Sequence, residues 1–134
     1  MRIIQTRLFG FLMALIMMLS VTSFATAMTE QAYTDVTPEE AKALMESTPD
    51  LVIIDVSPMY DKGHIPGAVN YYVGDGSLDN AIAMLDKTKT YLVYCHTDSA
   101  SIMGATKLTD AGFEKVFRLK GNYSAWVDAG YPVE

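Results

Sequence analysis

Apolar positions along the chain fall into two kinds of run. One is long and unbroken, residues 8–21 (LFGFLMALIMMLSV), without a charge. The others are short: residues 51–54 (Leu-Val-Ile-Ile), 91–94 (Tyr-Leu-Val-Tyr) and 116–119 (Val-Phe-Arg-Leu), with a further candidate near residues 68–72. Short apolar runs bounded by turn residues read as strands buried on both faces. The stretches between them repeat their apolar residues at helical spacing. Thr37-Pro38-Glu39-Glu40 forms a capping box, with Thr37 as N-cap, Pro38 at the first helical position and Glu40 reaching back. Ala41, Leu44 and Met45 continue that helix. Ser77 is expected to cap a second one carrying Leu78, Ala81, Ile82 and Leu85. From residue 99 to 111, Ile102, Ala105 and Leu108 give a third, which Gly112 stops. Residues 122–129, with Trp126 inside and Gly130 after, make a last short helix. Strands alternating with helices predict an α/β domain with a mostly parallel sheet and helices on both faces. No repeat, low-complexity tract or linker divides residues 28–134, which are expected to form one domain.

The unbroken run has a different meaning. Arg2 and Arg7 precede it, and Ala25-Thr26-Ala27 follows. A basic start, an apolar stretch of this length and an A-x-A site describe a secretory signal peptide over residues 1–27. The run is shorter than the ~20 residues a bilayer-spanning helix needs. Cleavage is expected after Ala27, with Ala25 as the alternative, giving a periplasmic or secreted protein without membrane attachment.

This division changes the charge balance. The full chain has 134 residues, ten Lys+Arg, sixteen Asp+Glu and a formal charge of −6. Two of the basic residues and none of the acidic ones lie in residues 1–27, so residues 28–134 carry −8 and a single arginine, Arg118. Such a surface has no cationic excess to neutralise phosphates, which excludes nucleic acid as a partner. One cysteine, Cys95, excludes an internal disulfide, a C-x-x-C redox pair and a cysteine zinc cage. His64 and His96 lack ligand spacing, so no metal is expected.

Cys95 directly follows the strand at 91–94 and precedes a loop and a helix. In open α/β sheets ligands bind at that carboxyl edge. Loop amides and a helix N-terminus both favour negative charge there, and the thiolate is the nucleophilic form. The competing reading is an inert cysteine closing a buried strand, because unpaired cysteine is among the most buried residue types.

Longer words surround it. Residues 52–57 (Val-Ile-Ile-Asp-Val-Ser) and 63–70 (Gly-His-Ile-Pro-Gly-Ala-Val-Asn) resemble the first signature of rhodanese-like domains. Residues 119–126 (Leu-Lys-Gly-Asn-Tyr-Ser-Ala-Trp), with 129–133 (Ala-Gly-Tyr-Pro-Val), resemble their closing signature. Cys95 falls where that family places its active cysteine. The resemblance runs from about Val36 to Val133 and is greatest to the small, single-domain exported members. It implies a rhodanese-like α/β fold with about five strands, and sulfurtransferase activity without a cofactor. Cys95 would take a sulfane sulfur from a small donor (thiosulfate, a polysulfide or a protein persulfide) and pass it, as a persulfide, to a thiol or cyanide acceptor. The loop His96-Thr97-Asp98-Ser99-Ala100-Ser101 would cradle that sulfur.

Two departures bear on substrate. Many active relatives carry glycine in place of Asp98, and a cation at one of the next two positions, here Ser99 and Ala100. This loop has a carboxylate and no cation, and an anion beside Cys95 opposes the thiolate and repels a dianionic donor. The alternative for Asp98 is to cap the helix and point away. Ser57 stands where relatives usually carry arginine, which removes another positive charge. Weak activity toward thiosulfate is the expectation. His96 either supports the thiolate as an imidazolium or faces solvent from the loop, and His64 is expected to be structural, bonded to backbone. Asp55 and Ser57 are candidates for orienting the loops. Trp126 and the tyrosines at 71, 72, 91 and 94 are read as core and rim.

Rival classes separate on single residues. A cysteine phosphatase needs arginine six positions after its nucleophile, and Ser101 stands there. A thioredoxin-like oxidoreductase needs a second cysteine. The remaining rival is a rhodanese-like binding or sensor module with little or no turnover.

Overall fold

Every strand pairing in the sheet is parallel. The computed structural model describes residues 30–134, so the expected signal peptide lies outside the described residues. In chain order the elements are β1 (Thr34–Val36), α1 (Pro38–Ser47), β2 (Val52–Asp55), a 3₁₀ turn (Tyr60–Lys62), β3 (Val69–Asn70), α2 (Ser77–Ile82), β4 (Thr90–Tyr94), α3 (Asp98–Asp110), β5 (Lys115–Leu119) and α4 (Asn122–Asp128). The sheet order is β1-β5-β4-β2-β3. In the centre, Ile53 and Ile54 of β2 lie opposite Leu92 and Val93 of β4, and Leu92 and Val93 lie opposite Phe117 and Arg118 of β5.

Alternation along the central strands divides the core into two layers. Ile54, Tyr91, Val93 and Val116 face α2 and α3, where they meet Leu78, Ala105 and Leu108. Ile53, Leu92, Tyr94 and Leu119 face α1 and α4, where they meet Ala41, Ile65 and Trp126. Fully burying side chains of this size contributes about 1.5–3 kcal/mol each before the entropy of ordering them. Trp126 lies at the centre of the second layer and donates its indole N–H to Pro132 O at 2.9 Å.

The α1 capping box forms as read: Glu40 N donates to Thr37 Oγ1 at 3.2 Å, and Thr37 N to Glu40 Oε2 at 2.8 Å. Two expectations are corrected. The strand placed near residues 68–72 is only Val69–Asn70, because Asn70 pairs with Asp55, the last residue of β2. Ser77 does not cap α2. It is the first helical residue, Gly76 is the N-cap, and the Ser77 amide goes to Asp75 Oδ1 at 2.9 Å. The fifth strand is β1, a three-residue edge segment that the apolar pattern left unmarked.

Candidate functional site

The sheet order creates a crevice. From β2 the chain moves outward to β3, whereas from β4 it moves the other way to β5, so the two connections diverge between β2 and β4. Ligand sites of open α/β sheets form at such a switch point, beyond the carboxyl ends of the strands. A cavity of about 360 Å³ lies here. Ser57, Pro58 and Met59 line it from the loop after β2, Tyr72, Val73 and Gly74 from the segment after β3, and Cys95, His96, Thr97, Ser99, Ala100 and Met103 from the β4–α3 side. The structure therefore brings Cys95, His96, Thr97, Ser99, Ala100 and Ser57 to one place. A second depression, lined by Lys87, Thr88, Gly112, Glu114 and Lys115, lies at the amino-terminal edge of the sheet, away from Cys95.

Cys95 lines the cavity with its side chain only 3% exposed. It packs with the β2, β4 and α3 core yet reaches the cavity, so the nucleophilic and buried readings meet in one residue. Its peptide group is clamped by the start of α4. Cys95 N donates to Asn122 Oδ1 at 3.2 Å, and Tyr123 N donates to Cys95 O at 3.0 Å. The Thr97 hydroxyl oxygen lies 4.0 Å from Sγ. Thr97 is also the N-cap of α3 but makes no side-chain capping bond. Among the described residues, the amides of residues 96–100 meet no backbone acceptor, and the first bond at this helix start is Ser101 N to Thr97 O, at 3.3 Å. Free amides at a helix N-terminus favour an anion.

Asp98 is not the cap of α3, as the sequence allowed, but its first residue. Its carboxylate Oδ1 accepts from Arg118 Nη1 at 3.0 Å and from Asn122 Nδ2 at 2.7 Å. Arg118 is buried on β5. It makes a two-point contact with Asp35 of β1, at 2.7 and 2.8 Å, and a further bond to the buried Ser101 Oγ at 3.1 Å. Hydrogen bonding to Asp35 first, and to Asp98 as well, holds the guanidinium above its ordinary range, so it stays charged. The loop itself has no cation, but the Arg118 guanidinium on the neighbouring strand, shared with Asp35, bonds its carboxylate. Asn122 ties this network to Cys95. It is the one non-glycine residue with positive φ (58°) among the described residues, a conformation asparagine tolerates better than most side chains.

The other candidates are placed as follows. Asp55 is fully buried: Oδ1 takes the Ser57 amide at 2.8 Å, while Oδ2 has no partner among the described residues. Ser57 Oγ takes the Met59 amide at 3.1 Å, and Asn70 Nδ2 bridges the carbonyls of Asp55 and Ser57 at 2.9 Å each. These bonds shape the loop under the cavity. Burial pushes the Tyr94 hydroxyl well above the usual phenol range, with nearby Asp55 adding to the effect. That hydroxyl accepts the Ile65 amide at 3.0 Å. His96 does not face solvent. It is half-buried, its ring 4.6 Å from that of Tyr123, and its Nε2 is buried without a partner. His64 is bonded to backbone as expected, with Nδ1 3.1 Å from Tyr60 O and the ring stacked on Tyr60 at 3.7 Å. Asn122, Tyr123, Met59 and Met103 went unmarked as site residues, since their contacts are made across the fold.

An all-parallel α/β domain with one buried cysteine at its switch point defines a thiol-centred site on an open sheet. The chain belongs to the rhodanese-like domain family, whose domain matches residues 37–129. Thiosulfate sulfurtransferase GlpE of Glaesserella parasuis serovar 5 is 27% identical over 105 residues, covering 78% of this chain and 96% of that protein. The protein of the same name from Pseudomonas fluorescens is 33% identical over 97 residues, covering 72% and 86%. Among solved structures, the Alr3790 protein from Anabaena sp. matches with a TM-score of 0.66 at 31% identity, covering 74% of this chain and 90% of that one. At family level these similarities support sulfur transfer.

Proposed function

We propose that this protein is an exported sulfurtransferase that carries sulfane sulfur on Cys95. The observation that carries the reading is the placement of Cys95. It lines the switch-point cavity beside a helix start whose amides are free. The Cys95 thiolate attacks the outer sulfur of a donor. A sulfur–sulfur bond forms, the donor's own bond to that sulfur breaks, and its electron pair leaves with the remainder of the donor (sulfite, for thiosulfate). Amides of the 96–100 loop stabilise the resulting persulfide anion. An acceptor thiolate or cyanide then attacks the outer sulfur, and Cys95 leaves as thiolate. No step requires a cofactor. Arg118 keeps the Asp98 charge from opposing the thiolate, but it is committed to Asp35, Asp98 and Ser101. No lysine or arginine lines the cavity, so thiosulfate is a poor donor in this reading.

Intact-mass measurement after incubation with several sulfane donors tests it. One added sulfur atom, absent in Cys95→Ser, is the expected result. The second reading is a binding module, favoured by the depth of Cys95 in the core. It prevails if no donor adds sulfur and the thiol also resists alkylation. Export is tested by expressing the full chain in a bacterial host. A periplasmic product beginning at Met28 is expected.

A further inference from the structure

Two threonines open helices in this molecule, and they behave differently. Thr37, the N-cap of α1, accepts the amide of Glu40 on its hydroxyl oxygen at 3.2 Å. Thr97, the N-cap of α3, has the same extended kind of backbone (φ −134°, ψ 148°) but makes no such bond. Threonine is favoured at this position because its oxygen satisfies one of the free amides of the first turn. The amide that Thr97 would take, that of Ala100, has no acceptor among the described residues. Nor is the hydroxyl spent elsewhere. Its one partner among the described residues is Cys95 Sγ, at 4.0 Å. Thr97 and Ala100 both line the Cys95 cavity, so one internal bond is exchanged for two unspent donors on residues of its wall.

A hydroxyl donates and accepts, and its hydrogen rotates to suit the partner. Against a thiol, Thr97 Oγ1 accepts the S–H. Against a thiolate, which only accepts, the O–H turns round and donates. The contact therefore survives loss of the thiol proton and strengthens with it, because hydrogen bonds to a charged group are roughly twice as strong as those between neutral groups. A backbone amide lacks this freedom, since it only donates. We propose that Thr97 is the side-chain partner of the Cys95 sulfur, its hydroxyl withheld from the helix and donated to the thiolate. The use made of that thiolate rests on the sulfurtransferase reading above. No lysine or arginine lines the cavity, so neutral donors take the place of a cation there.

The test compares Thr97→Val, which removes the hydroxyl and keeps the shape, with Thr97→Ser, which restores it, and with Thr37→Val. Thiolate formation is read as far-ultraviolet absorbance against pH, with Cys95→Ser as the blank, so that burial of the sulfur cannot hide it. Sulfur uptake is followed by intact mass. In Thr97→Val the absorbance midpoint should move up by about half to one pH unit, and sulfur uptake at neutral pH should slow by about threefold to tenfold. Thr97→Ser should recover most of both. The urea midpoint of Thr97→Val should stay that of the parent, because the side chain is exposed and no cap is lost. Thr37→Val should do the reverse, lowering the urea midpoint and leaving the absorbance unmoved. An unmoved absorbance midpoint in Thr97→Val, or a shift that Thr97→Ser does not recover, overturns the inference while leaving sulfur carriage by Cys95 standing. A lower urea midpoint with the absorbance unmoved makes the hydroxyl structural and overturns it too. An absorbance shift with no sulfur added by any donor overturns the sulfurtransferase reading and leaves the Thr97 contact standing.

Discussion

Asn122 satisfies two groups with one amide, the Cys95 N–H through Oδ1 and the Asp98 carboxylate through Nδ2. Asn122→Gly keeps the backbone free to adopt positive φ but strips both contacts, leaving a buried N–H unpaired. The expected loss is about 1–3 kcal/mol of stability, read from urea midpoints, with slower sulfur uptake by Cys95. Arg118→Met leaves two carboxylates without their cation, and because both are partly open to solvent the cost is about 2–3 kcal/mol. Tyr94 gives a pH dependence of definite sign. Below about pH 10 the phenol is protonated in both folded and unfolded chains, and its contribution to stability is complete. Above that the unfolded phenol ionises while the buried one keeps its proton, so stability falls by up to about 1.4 kcal/mol per pH unit. Tyr94→Phe should lack that loss, which midpoints at about pH 9 and about pH 11 will show. Cys95 was readable from the sequence because its setting is local, an apolar strand running into a loop. The partner of Asp98 was not. Arg118 is twenty positions away and meets it only because β5 lies beside β4 in the sheet.

Among the elements, α1 and α3 were legible because capping residues and helical spacing are properties of adjacent residues. β1 was not, since Thr34-Asp35-Val36 offers one buried side chain and takes its strand geometry from β5. The length of β3 likewise depends on where β2 ends. The first turn of α2 was misread by one residue because Asp75 takes the amide that a capping serine would otherwise leave to itself. The packing of α3 on the sheet yields a prediction at this scale. A Cβ at Gly104 would lie 3.1 and 3.3 Å from the two methyls of Val56 and 3.4 Å from Val93. Val56 and Val93 are fully buried and stiff at χ1, so they cannot yield cheaply. Gly104→Ala should gain up to about 1 kcal/mol of helix propensity and lose about 1–3 kcal/mol to overpacking. The net result expected is a lower thermal midpoint.

Across the whole molecule, charge is lopsided. Residues 28–134 carry −8, and most carboxylates are exposed. Raising salt from about 10 to about 200 mM should screen this self-repulsion and raise the thermal midpoint by a few degrees, because the buried Arg118 pairs are screened less than the surface. Among the described residues no helix is long and apolar enough to cross a membrane. The parallel sheet, its two helical layers and the carboxyl-edge position of Cys95 were all legible from the order of apolar runs. Which residues complete the site depended on strand order, which periodicity does not encode. That same order has a consequence for evolution and for engineering. Asp98, Arg118 and Asn122 sit on three different elements yet meet at one carboxylate oxygen, so the cysteine loop is not a cassette. A graft bearing glycine at residue 98 would leave Arg118 on Asp35 and Ser101 but strip Asn122 Nδ2 of its acceptor, so the glycine calls for a compensating change at residue 122.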